Sequence, residues 1–260
     1  MKNTITIAGI KIYNQTLSSL LSEINLQDTH NQQLKAILTA NPEIIVQAQD
    51  DPKLKEILNS AWLAIPDGVG ISLAAKFQKR KISERITGIE LTKQLLKIAQ
   101  KRNLTVGIIG GTKKASSEYE KYLTSNFELR TSWSLPGPWI DTKSYDHFTH
   151  KATHWIETNE GIEFLRKIKD TSILFVTMGA PKQEFFIDFL TRSSYFEHRL
   201  SLLLVAVGGT FDELSGIVPK PPTWVENFGL KWLFRLITEP WRIKRQLRLI
   251  RFIMLSFSKN

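Results

Sequence analysis

Between Leu34 and Val207 the chain alternates short runs rich in Ile, Val and Leu with longer amphipathic stretches, and this alternation restricts its fold more than any other feature. The pattern predicts strands near 34–39, 61–65, 104–109, 128–133, 171–177 and 201–207. It places helices between them, near 43–59, 68–79, 88–102, 113–125, 144–168 and 181–192. Neighbouring parallel strands need a crossover, and right-handed crossovers lay helices over a sheet face. The expected fold is therefore α/β, a doubly wound, mainly parallel, Rossmann-like sheet. Before it, "ITIAGIKI" reads as a small hairpin and Thr16 to Ile24 as a short helix.

At 260 residues and 42% hydrophobic content the chain can bury a full core, so disorder is excluded. No apolar run approaches the roughly 18–20 residues a spanning helix needs, and the N-terminus lacks a secretory signal, so a cytoplasmic location is expected. Cysteine is absent, which removes disulfides, thiol catalysis and cysteine-ligated metals. The net charge of +10 is uneven: residues 220–260 hold nine Lys and Arg against Glu226 and Glu239. The chain divides on this reading into an α/β domain, 1–219, and a basic helical C-terminal appendage, 220–260.

In sheets of this kind ligands sit beyond the carboxyl ends of the strands. Five such ends carry glycines, amides, hydroxyls or an acid: "TAN" (39–41), "PDGVG" (66–70), "GGT" (110–112), "GAPKQE" (179–184) and "GGTFDELSG" (208–216). Asp67, ahead of a glycine, reads either as a helix cap or as an exposed acid at a site. Gly110 and Gly111 form a turn without the full GxGxxG spacing. Pro181 can open a helix whose free amides, with Lys182, suit an anionic diphosphate. His147, His150 and His154 share one helical face but lack a further ligand, so a solvated face is expected and no metal. There is no GxSxG, HExxH, Walker A or Asp-x-Asp motif.

In the tail, Ile243, Leu247, Ile250, Met254 and Phe257 form an apolar stripe opposite Arg242, Lys244, Arg245, Arg248 and Arg251. Such a helix suits an anionic membrane surface, with Trp224, Trp232 and Trp241 as interfacial anchors. Phe252 and Leu255 interrupt the basic face, so packing on the domain or on a second subunit of a homo-oligomer is the rival. No nucleic-acid-binding module is present. Two other classes remain open on the residues alone: a Rossmann-type oxidoreductase and a non-catalytic membrane adaptor.

Taken in order, "TANPE", "AIPDGVG", "ERITGIEL", "GIIGGT", "VTMGAPKQE", "VGGTFDELSG" and "GLKWLFRLITEPWRIKRQ" resemble the WecG/TagA/CpsF family of bacterial glycosyltransferases over about residues 34–250. The resemblance implies an inverting, metal-independent transfer of a sugar, typically N-acetylmannosamine, from a UDP donor to a polyprenyl-diphosphate-linked N-acetylglucosamine. The products feed teichoic acid, common antigen or exopolysaccharide synthesis at the inner face of the cytoplasmic membrane. It implies no cofactor. On this chain it assigns the catalytic base to Asp67 and pocket positions to Thr39, Asn41 and Gln183. It assigns donor and diphosphate contacts to Arg85, Gly110, Gly111, Gly179, Pro181, Lys182, Glu184, Gly208, Gly209, Asp212, Lys220, Arg235, Arg242 and Arg245. Two positions depart from the family pattern: Lys220-Pro221-Pro222 stands where Arg-Ala-Pro is usual, and Glu90 where an aspartate is.

Overall fold

A computed structural model of the chain describes residues 3–24, 33–129, 131–193, 201–222, 225, 231–238 and 243–257. An antiparallel hairpin of β1 (Thr4–Ile7) and β2 (Ile10–Tyr13) is followed by α1 (Leu17–Glu23). The main sheet contains β3 (Gln33–Ala40), β4 (Leu63–Pro66), β5 (Val106–Gly110), β6 (Ser132–Leu135), β7 (Ile173–Thr177) and β8 (Ser201–Ala206). These six strands lie in the order β4-β3-β8-β7-β5-β6, every pair parallel, which is the doubly wound α/β fold expected.

Side chains alternate between the two faces of the sheet, as a period of two requires. Ile37, Ile65, Ile108, Phe175 and Val205 pack with α1, α5 (Gly88–Arg102), α6 (Lys113–Phe127) and α10 (Thr210–Leu214). Leu38, Ala64, Ile109, Val176 and Leu204 pack with the hairpin and with α2 (Pro42–Asp50), α3 (Pro52–Ser60), α4 (Val69–Phe77), α7 (Tyr145–Ile156), α8 (Asn159–Ile168) and α9 (Lys182–Arg192). Because both faces are covered, the strands read as unbroken apolar runs.

Two helices expected as single are divided, each by a capping residue. Asp51 accepts the Leu54 amide (3.0 Å) and Pro52 opens α3, so the helix expected over 43–59 becomes α2 and α3. Thr158 accepts the Gly161 amide (3.2 Å), which splits the helix expected over 144–168 into α7 and α8. Glu128 ends α6 in the left-handed region (φ 46°), and β6 begins at Ser132, later than expected.

Beyond residue 220 two helices are described, α11 (Lys231–Thr238) and α12 (Ile243–Phe257). The latter lies against α2 and α4. Its arginines were expected on an outward basic arc, but Arg248 pairs with Glu43 (2.7 Å) and Arg251 grips Asp50 of α2. Phe252 and Ser256 are buried on this inward face, while Ile253 and Met254 point to solvent. The interruption at Phe252 is therefore the contact with the domain. Truncating a buried phenylalanine typically costs about 3–5 kcal/mol. Phe252→Ala is expected to undock α12, seen as protease cleavage within 243–257 while the sheet domain stays intact. Among the described residues, no helix is long and apolar enough to cross a membrane.

Candidate active site at the carboxyl edge of the sheet

The carboxyl ends of β3, β8, β7 and β5 lie side by side, and the helices that follow them leave alternately to opposite faces: α2, α10, α9 and α6. Diverging exits open a crevice above the strand ends. The sequence motifs at 39–41, 66–70, 110–112, 179–184 and 208–216 all occupy this rim.

Asp67 follows β4 directly, and its amide donates to Ala40 O (2.9 Å), so it stands beside Asn41 at the neighbouring strand end. The cap position of α4 falls to Gly68, whose φ of 93° suits only glycine, and not to Asp67. Asn41 caps α2 through Ile44 N (3.1 Å), with Pro42 at the first helical position. Thr39 is buried at the end of β3. A Cβ built on Gly88 would lie 3.7 Å from Thr39 Cγ2 and 3.1 Å from Thr210 Oγ1, which places the α5 N-terminus and the β8 turn against Thr39.

Gln183 is buried and its amide is used at both ends. Gly208 N donates to Gln183 Oε1 (2.9 Å), and Gln183 Nε2 donates to Glu184 Oε1 (2.8 Å). The Thr177 hydroxyl donates to Gly208 O, so the ends of β7 and β8 and the start of α9 are tied together. Glu184 is fully buried, and its Oε2 has no hydrogen-bond partner. Burial drives its carboxyl from an ordinary 4.5 up to about 7; the Gln183 amide opposes this, and the negative charge of Glu43 adds to it.

An acid whose pKa is raised on folding holds its proton in the native state where the unfolded chain has lost it. Its contribution to stability is thus intact below about pH 4.5 and is lost as pH rises through 7. Glu184→Gln cannot titrate, so its thermal midpoint relative to wild type should rise between about pH 5 and pH 8. A gap independent of pH would contradict the buried acid.

The helix that Pro181 was expected to open starts at Lys182, with Pro181 at the cap. One of its first amides is engaged within the turn, Gln183 N donating to Gly179 O (3.1 Å). Lys182 instead lies over the Trp139 ring (5.3 Å to the centroid). Open backbone is found at Gly179, where φ is 74° and an added Cβ would meet nothing within 4 Å. Gly110 is the tight counterpart, with a would-be Cβ only 2.5 Å from Thr177 O. Gly111 adjoins the Tyr119 hydroxyl, which donates to Asp212 Oδ1 (2.5 Å). Burial, then the Asp212 carboxylate, holds that hydroxyl protonated far above its ordinary range. Gly209 caps α10.

Arg85 and Lys220 are exposed. Arg242 lies outside the described residues, as do the side chains of Arg235 in α11 and Arg245 in α12. Glu90 sits in the first turn of α5, where its amide donates to the capping Thr87 (3.2 Å). A cleft of about 490 Å³ between α2, α12 and Pro181 borders this region, but Pro181 is the one candidate residue that lines it. His147 bonds Asp141 (2.6 Å), and His150 and His154 are exposed. Among the described residues no three His, Asp or Glu side chains are grouped to hold a metal. Trp139, 94% exposed after β6, and Tyr119 were not singled out from sequence; the "PGPW" turn was the available signal for the first.

An acid with a neighbouring amide at one end of a crevice, and glycine turns at the other, suits an acceptor hydroxyl facing a phosphorylated donor. The model of the glycosyl transferase WecG/TagA/CpsF family matches residues 5–260. An N-acetylglucosaminyldiphosphoundecaprenol N-acetyl-beta-D-mannosaminyltransferase of Bacillus spizizenii is 28% identical over 252 residues, covering 96% of this chain and 89% of that protein. A protein of the same description from Bacillus subtilis is 26% identical over 251 residues, 96% of this chain and 90% of its own length. With a match spanning nearly its whole length and the expected fold beneath it, this chain belongs to the WecG/TagA/CpsF family and is a glycosyltransferase of cell-surface polymer synthesis.

Proposed function

We propose that the protein transfers N-acetylmannosamine, or a closely related hexose, from a UDP donor to a polyprenyl-diphosphate-linked N-acetylglucosamine, with inversion and without a metal. The observation that carries this reading is the place of Asp67: an acid at the open end of β4, beside Asn41, with the helix cap left to Gly68. The two Bacillus relatives, both described as acting on that acceptor, support the substrate class.

In the reaction Asp67 accepts the proton of the acceptor hydroxyl, that oxygen attacks the anomeric carbon, and the bond to UDP breaks on the opposite face. General-base assistance of this kind is worth about 10²–10⁴ in rate. Gly179 and Gly208 offer backbone that a phosphate or sugar can approach closely. The negative charge that develops on the departing diphosphate must be met by cations. Residues 220–260 supply them in this reading, from Lys220, Arg235, Arg242 and Arg245. The outward Ile253 and Met254 of α12 support a peripheral position on the membrane that holds the acceptor.

The test is donor-dependent release of UDP with formation of the disaccharide-lipid in excess chelator. Turnover that requires added divalent metal would remove the metal-independent part of the reading, and turnover with NAD in place of a nucleotide sugar would remove all of it.

A further inference from the structure

We infer that α4 and the segment after it form a second docking surface for an anionic lipid bilayer, distinct from α12, which seats the mouth of the site against the membrane. The purpose of this surface rests on the function proposed above; its existence rests on separate observations.

Helix α4 buries Ile71, Ala74 and Ala75 against the sheet. Its other side exposes Val69 (37%), Leu73 (50%) and Phe77 (50%), spaced four apart and so in one row. A helix that faces only water carries polar residues at such positions. Next to the row stand Lys76, Lys79, Arg80 and Lys81, all exposed, none with an ion pair or side-chain hydrogen bond among the described residues. The acid nearest in sequence, Glu84, is turned inward to accept the Leu17 amide (2.9 Å). The basic character assigned to the tail thus has a local counterpart on the α/β domain.

Position gives the surface its meaning. The row begins two residues after Asp67, so its first residue, Val69, stands at the carboxyl edge of the sheet. On the flank of α4 beside the row, a Cβ built on Gly70 would lie 3.7 Å from Phe252 Cε1, which sets α12 directly alongside. Two adjacent helices therefore present apolar side chains to solvent, Leu73 and Phe77 on one and Ile253 and Met254 on the other.

Charge and apolarity together select the occupant. A nucleic acid would take up the cations and leave Val69 and Leu73 in water. A second copy meeting this face across a two-fold axis would bring like charges together. An anionic bilayer satisfies both, with cations at the headgroups and the apolar row at the acyl boundary.

The test is co-sedimentation of the full-length protein with phosphatidylcholine vesicles, with and without phosphatidylglycerol. Lys79→Glu/Arg80→Glu/Lys81→Glu should weaken partitioning onto the anionic vesicles by about a hundredfold or more, since each cation near such a surface contributes and each reversal repels. Leu73→Ser should weaken it by about tenfold. Both variants change exposed side chains, so they should keep the wild-type circular dichroism spectrum and wild-type turnover of a soluble, short-chain acceptor analogue. Vesicle binding equal to wild type in the triple variant would overturn the inference. So would a Leu73→Ser effect seen as dissociation of a dimer by size exclusion, or a triple-variant effect seen on DNA and not on vesicles. If wild type binds anionic vesicles through this surface but transfers no sugar, the proposed function fails and the surface stands.

Discussion

Asp67→Asn is expected to lower kcat for sugar transfer by about 10²–10⁴ while leaving the fold and donor affinity near wild type. The substitution keeps the shape of the side chain and removes its ability to take a proton. Gly68, not Asp67, caps α4, and the Asp67 amide bond to Ala40 O belongs to the main chain, so neither depends on the carboxylate. The effect should therefore fall on kcat, with KM for the nucleotide sugar little changed. Steady-state kinetics with UDP release as the readout, beside donor binding by calorimetry, separates the two parameters. A variant with wild-type kcat would move the base elsewhere, and a variant that unfolds would make Asp67 a structural residue.

Gln183→Ala should give the next largest loss, through a different route. The amide joins Gly208 N to Glu184 across the gap between β8 and α9, and truncation removes the partner of the buried Glu184 Oε1 and of the half-buried Gly208 N. Each buried group left unpaired costs about 1–3 kcal/mol. If the Gly208 turn holds the donor, the loss should appear as a KM for the nucleotide sugar raised about tenfold to a hundredfold. It should be accompanied by a lower thermal midpoint. Wild-type KM together with a lowered midpoint would confine Gln183 to a structural role. Wild-type values of both would contradict the geometry.

The sheet was legible because its strands are buried on both faces, which leaves runs such as "SILFVT" and "SLLLVA" with no polar residue inside them. Helix divisions were less legible, since Asp51-Pro52 and Thr158 interrupt stretches whose apolar period continues across the break. The rim was legible because glycine, proline and amide residues cluster after each strand. What sequence could not give was which polar groups are already occupied. Asn41 is engaged as a cap, Asp212 by Tyr119, and the Gln183 amide of α9 by Gly179. These pairings join residues distant in the chain, or depend on the backbone of one turn, so no spacing rule announces them. The tail misled in one respect: helical periodicity shows which residues share a face but not which face meets the domain. In α12 the inward face proved to be the one with Arg248, Arg251 and Phe252.

The central claim is that Asp67 at the β4 edge activates an acceptor hydroxyl for metal-independent transfer from a UDP-sugar. The most direct measurement incubates the full-length protein with UDP-N-acetylmannosamine and a soluble lipid-diphosphate N-acetylglucosamine analogue in excess EDTA, with Asp67→Asn in parallel, and follows both UDP and disaccharide-lipid. The account predicts stoichiometric UDP and disaccharide-lipid from wild type and about 10²–10⁴-fold less from the variant. Equal product from both proteins, or none from wild type with any UDP-hexose, would contradict it.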